Sequence, residues 1–336
     1  MFKSFLIKRT PLIIVYLLVL ATLGYPTEEL ESAKKKQYKV GIVYMGGKSF
    51  SQTVEGFKTG MRDLGYKDGK NIVYEVVNTS GSKDKIAEAV TNVIKKNVNV
   101  IYAVTTLVAR EAMLQTENKS IPIVFSLVAD PVGSKLVKSI KEPGGNMTGI
   151  TNRAIELTEK RLEMLIRIAP NLKKVMWIYD PNADVSVKAA EHARDVCKEM
   201  GISYIEKRAG NHDELLNAIS SIKRSDADGI LHIVNAILVA NNKLLIDKAK
   251  KEKIPYFTTD SEIVEEGALA NYGPNFYDIG RQSARLVNKV LMGVKAGTIP
   301  VEAPDKYDFI INLKTANAID IKIPENVLSI TTRVIK

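Results

Sequence analysis

The sequence predicts an α/β fold: two lobes, each a parallel sheet covered by helices, joined by a hinge that the chain crosses more than once. Three observations predict it. From Tyr38 onward, short runs rich in Val and Ile alternate with amphipathic helical patterns. The rhythm breaks at Pro143-Gly144-Gly145-Asn146 and then restarts, so the 336 residues hold two similar series. An extra helix and strand follow the second series, as they would if the chain returned to the first lobe and crossed back.

In the first series, strands are predicted at Lys39 to Met45, Asn71 to Val77, Val100 to Val104 and Ile121 to Ser126. Helices are predicted at Ser51 to Leu64, closed by Gly65, at Lys83 to Lys96 with Ile86, Val90 and Val93 on one face, and at Val108 to Thr116. Each strand is rich in Val and Ile, as suits strands buried on both faces. In the second series, helices are predicted at Thr158 to Ile168, Val185 to Met200, Asp213 to Ile222 and Lys243 to Lys253. Its strands fall at Lys174 to Tyr179, Ser203 to Lys207, Gly229 to Val234 and Tyr256 to Thr258. The tail adds strands at Ala268 to Tyr272 and Asp308 to Asn312 around a long helix, Tyr277 to Met292.

Composition excludes several classes. With 45% hydrophobic and 26% charged residues the chain is neither disordered, collagenous nor coiled coil. Its net charge of +10 is spread along solvated helix faces, and the longest basic run, Lys34-Lys35-Lys36, sits among Glu28, Glu29 and Glu31. Nucleic-acid binding needs clustering as well as surplus, so no nucleic-acid partner is expected. One cysteine, Cys197, permits no internal disulfide and no cysteine metal cluster, and its helical setting suits a small apolar residue.

The N-terminus carries an address. Lys3, Lys8 and Arg9 precede the apolar run Leu12 to Leu23, then Gly24, Tyr25 and Pro26. The run is shorter than the roughly twenty residues of a spanning helix. Residues 1–24 are therefore a signal peptide or an uncleaved N-terminal signal anchor, and 25–37 a polar linker. No cysteine follows the run, which excludes a lipoprotein. The expected location is periplasmic or otherwise extracytoplasmic.

Catalytic motifs do not survive inspection. Gly46-Gly47-Lys48-Ser49 follows a strand, but a phosphate loop would place its first glycine at position 42, which is Ile. His192, His212 and His232 fall on a helix, a loop and a strand, without metal-ligand spacing, and read as structural or solvated. Glu265-Glu266 sits at a helix end before Gly267. No enzyme activity, no cofactor and no metal are expected.

Binding residues are better placed. Open parallel sheets bind ligands at the carboxyl ends of their strands. There stand Thr105, Thr106, Ser126, Asp130 and Pro131 in the first lobe, and Asp180, Asn182, Asn235, Thr259 and Asp260 in the second. Helix N-termini at these loops offer free N–H groups to an anion, and an Asp can pair with an ammonium. Ser, Thr, Asp and Asn are also the preferred helix caps, so each residue is either a ligand contact or a cap.

Four stretches carry a family resemblance. They are Glu55-Gly56-Phe57 on to Leu64-Gly65-Tyr66-Lys67-Asp68-Gly69-Lys70-Asn71-Ile72; Ile121-Pro122-Ile123-Val124-Phe125 with Asp130-Pro131-Val132-Gly133; Pro143-Gly144-Gly145-Asn146-Met147-Thr148-Gly149; and Ile310-Ile311-Asn312-Leu313-Lys314-Thr315-Ala316. Gly267-Ala268-Leu269-Ala270 and Tyr272-Gly273 fit as well. Across residues 38 to 325 the chain resembles the exported substrate-binding proteins of ABC transporters, in the family that includes tryptophan- and phenylalanine-binding members. The resemblance implies a type I periplasmic-binding fold, with two Rossmann-like lobes, three hinge crossings and a ligand enclosed by lobe closure. On that plan 38–148 with 273–300 forms one lobe, and 149–272 with 301–336 the other. It implies a monomer that carries a small polar ligand, such as an amino acid, to a membrane permease driven by a separate ATPase subunit. Family contacts carry over to Thr105, Thr106, Ser126, Asp130, Asp180, Asn235 and Asp260. Ser49 and Phe50, after the loop Tyr44-Met45-Gly46-Gly47-Lys48, also face the ligand, although this loop lacks the acidic and histidine residues of the aromatic-amino-acid members. A second departure is Asn235-Ala236-Ile237, where an acidic and amide pair is common.

Three other readings compete. A ligand-sensing module signalling to a membrane receptor would share the fold, and only a fused signalling domain, absent here, would mark it in sequence. A sugar-responsive repressor would need a DNA-binding headpiece where the export signal stands. An enzyme would need a catalytic constellation that the strand ends do not supply.

Overall fold

A computed structural model describes residues 37–117 and 120–336; the export segment and the linker up to residue 36 lie outside the described residues. The first sheet is parallel and runs in the order β2-β1-β3-β4-β5. Its strands are β1 (Tyr38–Tyr44), β2 (Ile72–Asn78), β3 (Val100–Val104), β4 (Ile123–Val128) and β5 (Met147–Thr151), with α1 (Lys48–Asp63), α2 (Ile86–Lys95) and α3 (Thr106–Thr116) between them. Every residue of β3 and β4 is buried, because helices cover both faces of the sheet.

The second body opens with α4 (Thr158–Ile168) and β6 (Lys174–Tyr179), then α5 (Asp184–Glu199), β7 (Ser203–Arg208), α6 (His212–Ser220) and β8 (Gly229–Leu231). It continues with α7 (Ala236–Ala240), α8 (Asn242–Lys251), β9 (Tyr256–Thr258), α9 (Ser261–Glu266) and β10 (Ala270–Gly273). After α10 (Phe276–Leu291) come β11 (Asp308–Asn312), α11 (Leu313–Ala318), α12 (Glu325–Leu328) and β12 (Arg333–Ile335). The strand order is β12-β11-β10-β9-β8-β6-β7, parallel except where β10 meets β11. The molecule is therefore two doubly covered α/β lobes, as the alternating pattern predicts.

Some elements escape the pattern. β5 lies where the sequence shows only the end of a glycine-rich break, since Met147 and Ile150 are its only large apolar residues. Gly149 explains why it pairs so closely: a Cβ there would lie 2.2 Å from the Phe125 carbonyl oxygen. β8 stops at Leu231 rather than Val234. The short α7, α9, α11 and α12 and the three-residue β12 are too brief for any periodicity to announce them.

The chain crosses between lobes three times: after β5, between β10 and α10, and between α10 and β11. α10 returns to the first lobe and packs along α1 by glycine contact. A Cβ on Gly280 would sit 2.0 Å from the Thr53 carbonyl oxygen, and one on Gly56 would sit 1.9 Å from that of Tyr277. Backbone meets backbone there, which only glycine allows. Tyr66 donates to Asn288 at 2.8 Å and Arg281 pairs with Asp63 at 2.7 Å beside the same seam. The third connection runs along β5, where the Thr151 amide donates to Glu302 and the Glu302 amide donates to Gly149, each at 3.0 Å.

Arg161, on α4, joins the first two connections. Its Nη1 donates to the Ala154 carbonyl at 2.6 Å and its Nε to that of Tyr272 at 2.8 Å. The side chain is 1% exposed, and among the described residues no carboxylate lies within ion-pairing distance. Burial pushes its pKa down to about 9, against the opposing pull of the Glu156 carboxylate. Tyr272, at the end of β10, and Tyr307, on the third connection, stack at 6.3 Å nearby.

Replacing Gly280 by Ala is expected to push α10 off α1 and lower the free energy of unfolding by about 2 kcal/mol in urea titration. Glu55→Ala, on the exposed face of α1, should stay within about 0.5 kcal/mol of the parent. Equal stabilities for the two variants would refute the backbone-contact account.

Candidate functional site

A cavity lies between the lobes at the carboxyl ends of the parallel strands. The first lobe lines it with Phe50 of α1, Lys83 of the β2–α2 loop, Thr105, Thr106 and Leu107 at the start of α3, Leu127 at the end of β4 and Ala129 just after it, and Phe276 of α10. The second lobe and the first connection contribute Asn152, Ala154, Asp180, Ser186, His232, Asn235 and Thr259, with Val185, Val234 and Val239 as apolar wall.

The first-lobe side is strained and open to an acceptor. Thr105 has φ 92° and ψ 159°, and Leu127 has φ 55°; both are non-glycine residues in the region that favours glycine. Such backbone costs about 1–3 kcal/mol per residue and collects at functional sites. Thr105 is held by its amide, which donates to Ser126 at 3.0 Å, and by its carbonyl, which accepts from Ala109. No side chain caps α3, so the first N–H groups of this eleven-residue helix face the cleft unopposed. The Thr105 Oγ1 is buried without a hydrogen-bond partner at the same spot. An anionic oxygen seated there would meet free amides, a hydroxyl and the positive end of the helix dipole.

The second-lobe side is better satisfied. Asn235 caps α7, its Oδ1 accepting from Ile237 and Leu238 at 3.1 Å each, while it also lines the cavity. Tyr256 donates its hydroxyl to Asn242 Oδ1 at 2.9 Å, so His232 Nδ1, 2.6 Å from that hydroxyl, carries the proton and donates to it. Burial pushes the His232 pKa down to about 3, with the charge of Arg161 acting the same way. The imidazole is therefore neutral and brings no charge to the cavity.

Ion pairs bridge the lobes around the cavity. Lys83 Nζ meets Asp180 Oδ2 at 2.6 Å, Lys48 meets Glu262 at 3.0 Å, and Arg110 meets Asp184 at 3.8 Å. Lys188 pairs with Asp130 in the opposite sense. Lobe faces in such contact describe a closed arrangement.

Of the residues singled out in sequence, Phe50, Thr105, Thr106, Asp180 and Asn235 line the cavity, and Thr259 joins them. The other five stand elsewhere. Ser126 is fully buried beside Tyr102 beneath β4. Asp130 accepts from the Gly133 amide at 2.8 Å and faces Lys188. Asn182 is exposed and turned toward Gly210. Asp260 caps α9, accepting from Glu262 at 3.0 Å; burial pushes its pKa up to about 7, with the Ser49 hydroxyl pulling the other way. Ser49 thus faces Asp260 rather than the cavity. Lys83, Ser186, His232 and Phe276 line the cavity without having been singled out in sequence. Lys83 reads in sequence as the solvated start of a helix, and only its position opposite Asp180 reveals it. Among the described residues no three His, Cys, Asp or Glu side chains converge on a metal position, and no helix is long and apolar enough to cross a membrane.

Comparison with known proteins gives this geometry a relative. The tyrosine-binding protein of Clostridioides difficile (strain R20291) is 30% identical over 298 residues, covering 88% of this chain and 84% of that one. The ABC domain from Streptococcus pneumonia in complex with L-Trp superimposes with a TM-score of 0.82 at 23% identity, over 89% of this chain and 100% of that one. The ligand-free, open structure of a substrate-binding protein with adhesive properties from Clostridium difficile gives 0.67 at 26% identity, over 89% and 99% of the two chains. The family described as ABC transporter substrate binding protein matches residues 39–335. With two lobes closed over a cleft at their strand ends, and nearly every described residue inside that match, this chain belongs to the family of ABC transporter substrate-binding proteins.

Proposed function

We propose that this protein is the extracytoplasmic solute-binding component of an ABC importer. It closes on an amino acid with an apolar side chain, and hands it to a membrane permease served by a separate ATPase subunit. The carrying observation is the uncapped start of α3 with the unpartnered Thr105 hydroxyl, a place built for a carboxylate. Asp180, 2% exposed, offers the complementary seat for an ammonium. Phe50, Leu107, Val185, Val239 and Phe276 leave an apolar half for the side chain, which is how small-molecule sites divide their labour. The tyrosine-binding relative supports this division. The better superposition on a ligand-bound structure than on an open one, despite lower identity, supports lobe closure as the working motion. Lys3, Lys8, Arg9 and the apolar run after them would export the chain, and delivery to a permease follows from the family.

L-Tyrosine, L-tryptophan and L-phenylalanine, titrated against a panel of sugars and nucleosides, should each be tested by thermal shift and calorimetry. At a hundredfold excess over Kd the true ligand is expected to add about 2.7 kcal/mol to stability. Indifference to every amino acid would overturn the proposal. Thr105→Gly separates site from scaffold. Relief of the strained backbone should raise the ligand-free stability by about 1 kcal/mol. Loss of the hydroxyl should weaken amino-acid binding about tenfold.

A further inference from the structure

We propose that Lys83 is a specificity-determining residue that, with Asp180, makes the cleft a filter for net-neutral zwitterions. The inference rests on the amino-acid reading above and adds the charge class that the site admits. Lys83 is the one cation and Asp180 the one carboxylate among the described residues that line the cavity. They come from opposite lobes and meet at 2.6 Å.

Asp180 is committed everywhere but at one oxygen. Its amide donates to Ser186 Oγ at 3.0 Å, and its Oδ1 accepts from the Asn182 amide at 2.9 Å. Oδ2 has Lys83 as its partner. Lys83 is a third exposed and flexible, so it can exchange partners where the buried aspartate cannot. An entering amino acid places its ammonium on Asp180 Oδ2 and its carboxylate at the start of α3, beside Thr105. The displaced Lys83 ammonium then turns to that carboxylate. One ion pair becomes two, and the buried charge remains zero.

Other charge classes fail this balance. A ligand with a carboxylate and no ammonium leaves one negative charge in excess within the closed cleft, and an amine without a carboxylate leaves one positive charge. Neither can be neutralised by His232, which burial holds uncharged, and an uncompensated buried charge is costly. Asp260 caps α9 and Glu262 stands in its first turn, and neither lines the cavity.

The test uses calorimetry on the parent, Lys83→Met and Asp180→Asn with L-tyrosine, tyramine and 4-hydroxyphenylpropionate. Asn keeps the acceptor for the Asn182 amide, and Met keeps the length of the lysine stem, so both variants should fold. The parent is expected to bind tyrosine and neither singly charged analogue. Each variant should lose at least about tenfold for tyrosine, as removal of one partner from a buried charge pair does. Lys83→Met should gain affinity for tyramine, and Asp180→Asn for 4-hydroxyphenylpropionate. Loss of tyrosine in both variants with no gain for either analogue would make the pair a mere latch between lobes and overturn the filter. A parent that binds a singly charged analogue as tightly as tyrosine overturns the filter and leaves the amino-acid reading standing. A parent that binds neither tyrosine nor any other amino acid overturns the amino-acid reading, and the filter falls with it.

Discussion

Arg161 is the constraint on which the two-lobed arrangement depends. A guanidinium 1% exposed and without a carboxylate partner bears a desolvation penalty of several kcal/mol. Its compensation is two charge-assisted hydrogen bonds, to a carbonyl on the first connection and to one at the end of β10 where the second begins, worth about 1.5–3 kcal/mol each. Both are needed to offset the burial, so Ala154 and Tyr272 are held at fixed positions relative to α4. The third connection is held by the reciprocal pairing of Glu302 with β5 and lies beside the Tyr272–Tyr307 stack. The three connections are fixed in this way where they leave the lobes, while the glycine seam of α1 and α10 keeps the returning helix inside the first lobe.

Closure itself is weakly held. Four of the five bridging ion pairs, two of them made by Lys48 with Glu262 and Glu265, set a cation of the first lobe against a carboxylate of the second, so the facing surfaces attract. Yet the cations are between a third and a half exposed and stay in exchange with water, and Arg110–Asp184, exposed on both sides, contributes only about 0–1 kcal/mol. Together they bias the lobes toward one another without locking them. A ligand that bridges both faces therefore has an equilibrium to shift, and it needs only modest differential affinity to do so. Stronger latches would close the cleft without cargo and raise the barrier to release.

The fold was legible because its signal is long and periodic. β3 matches its predicted span residue for residue, and α4 likewise, since fully buried strands and amphipathic helices write their burial into the sequence. The elements that went unread are short or glycine-rich, with too few apolar positions to carry a period. The site was legible by place more than by residue. Strand ends pointed to Thr105, Thr106, Asp180 and Asn235 for a topological reason. The same polar types at Asp130 and Asp260 became caps, because Asx side chains serve either purpose and nothing local tells them apart. Lys83 and Phe276 belong to the site only through long-range packing, which one sequence does not display.

Net charge and site charge obey different rules in this molecule. The chain carries +10, a long-range field that attracts anions and is screened within about 10 Å at ordinary ionic strength. The cleft, by contrast, balances one ammonium against one carboxylate and keeps its imidazole neutral by burial. Inside a closed, poorly solvated cavity that local balance outweighs the distant surplus, because Coulomb terms grow as the effective dielectric falls. Strain is concentrated at the same place, in Thr105 and Leu127, where ordinary residues hold glycine-like backbone. The scaffold sustains that strain because β3 and β4, buried on both faces, fix the chain on either side. The strain where α3 begins thus accompanies a row of uncapped amides held in a fixed orientation at the cavity wall.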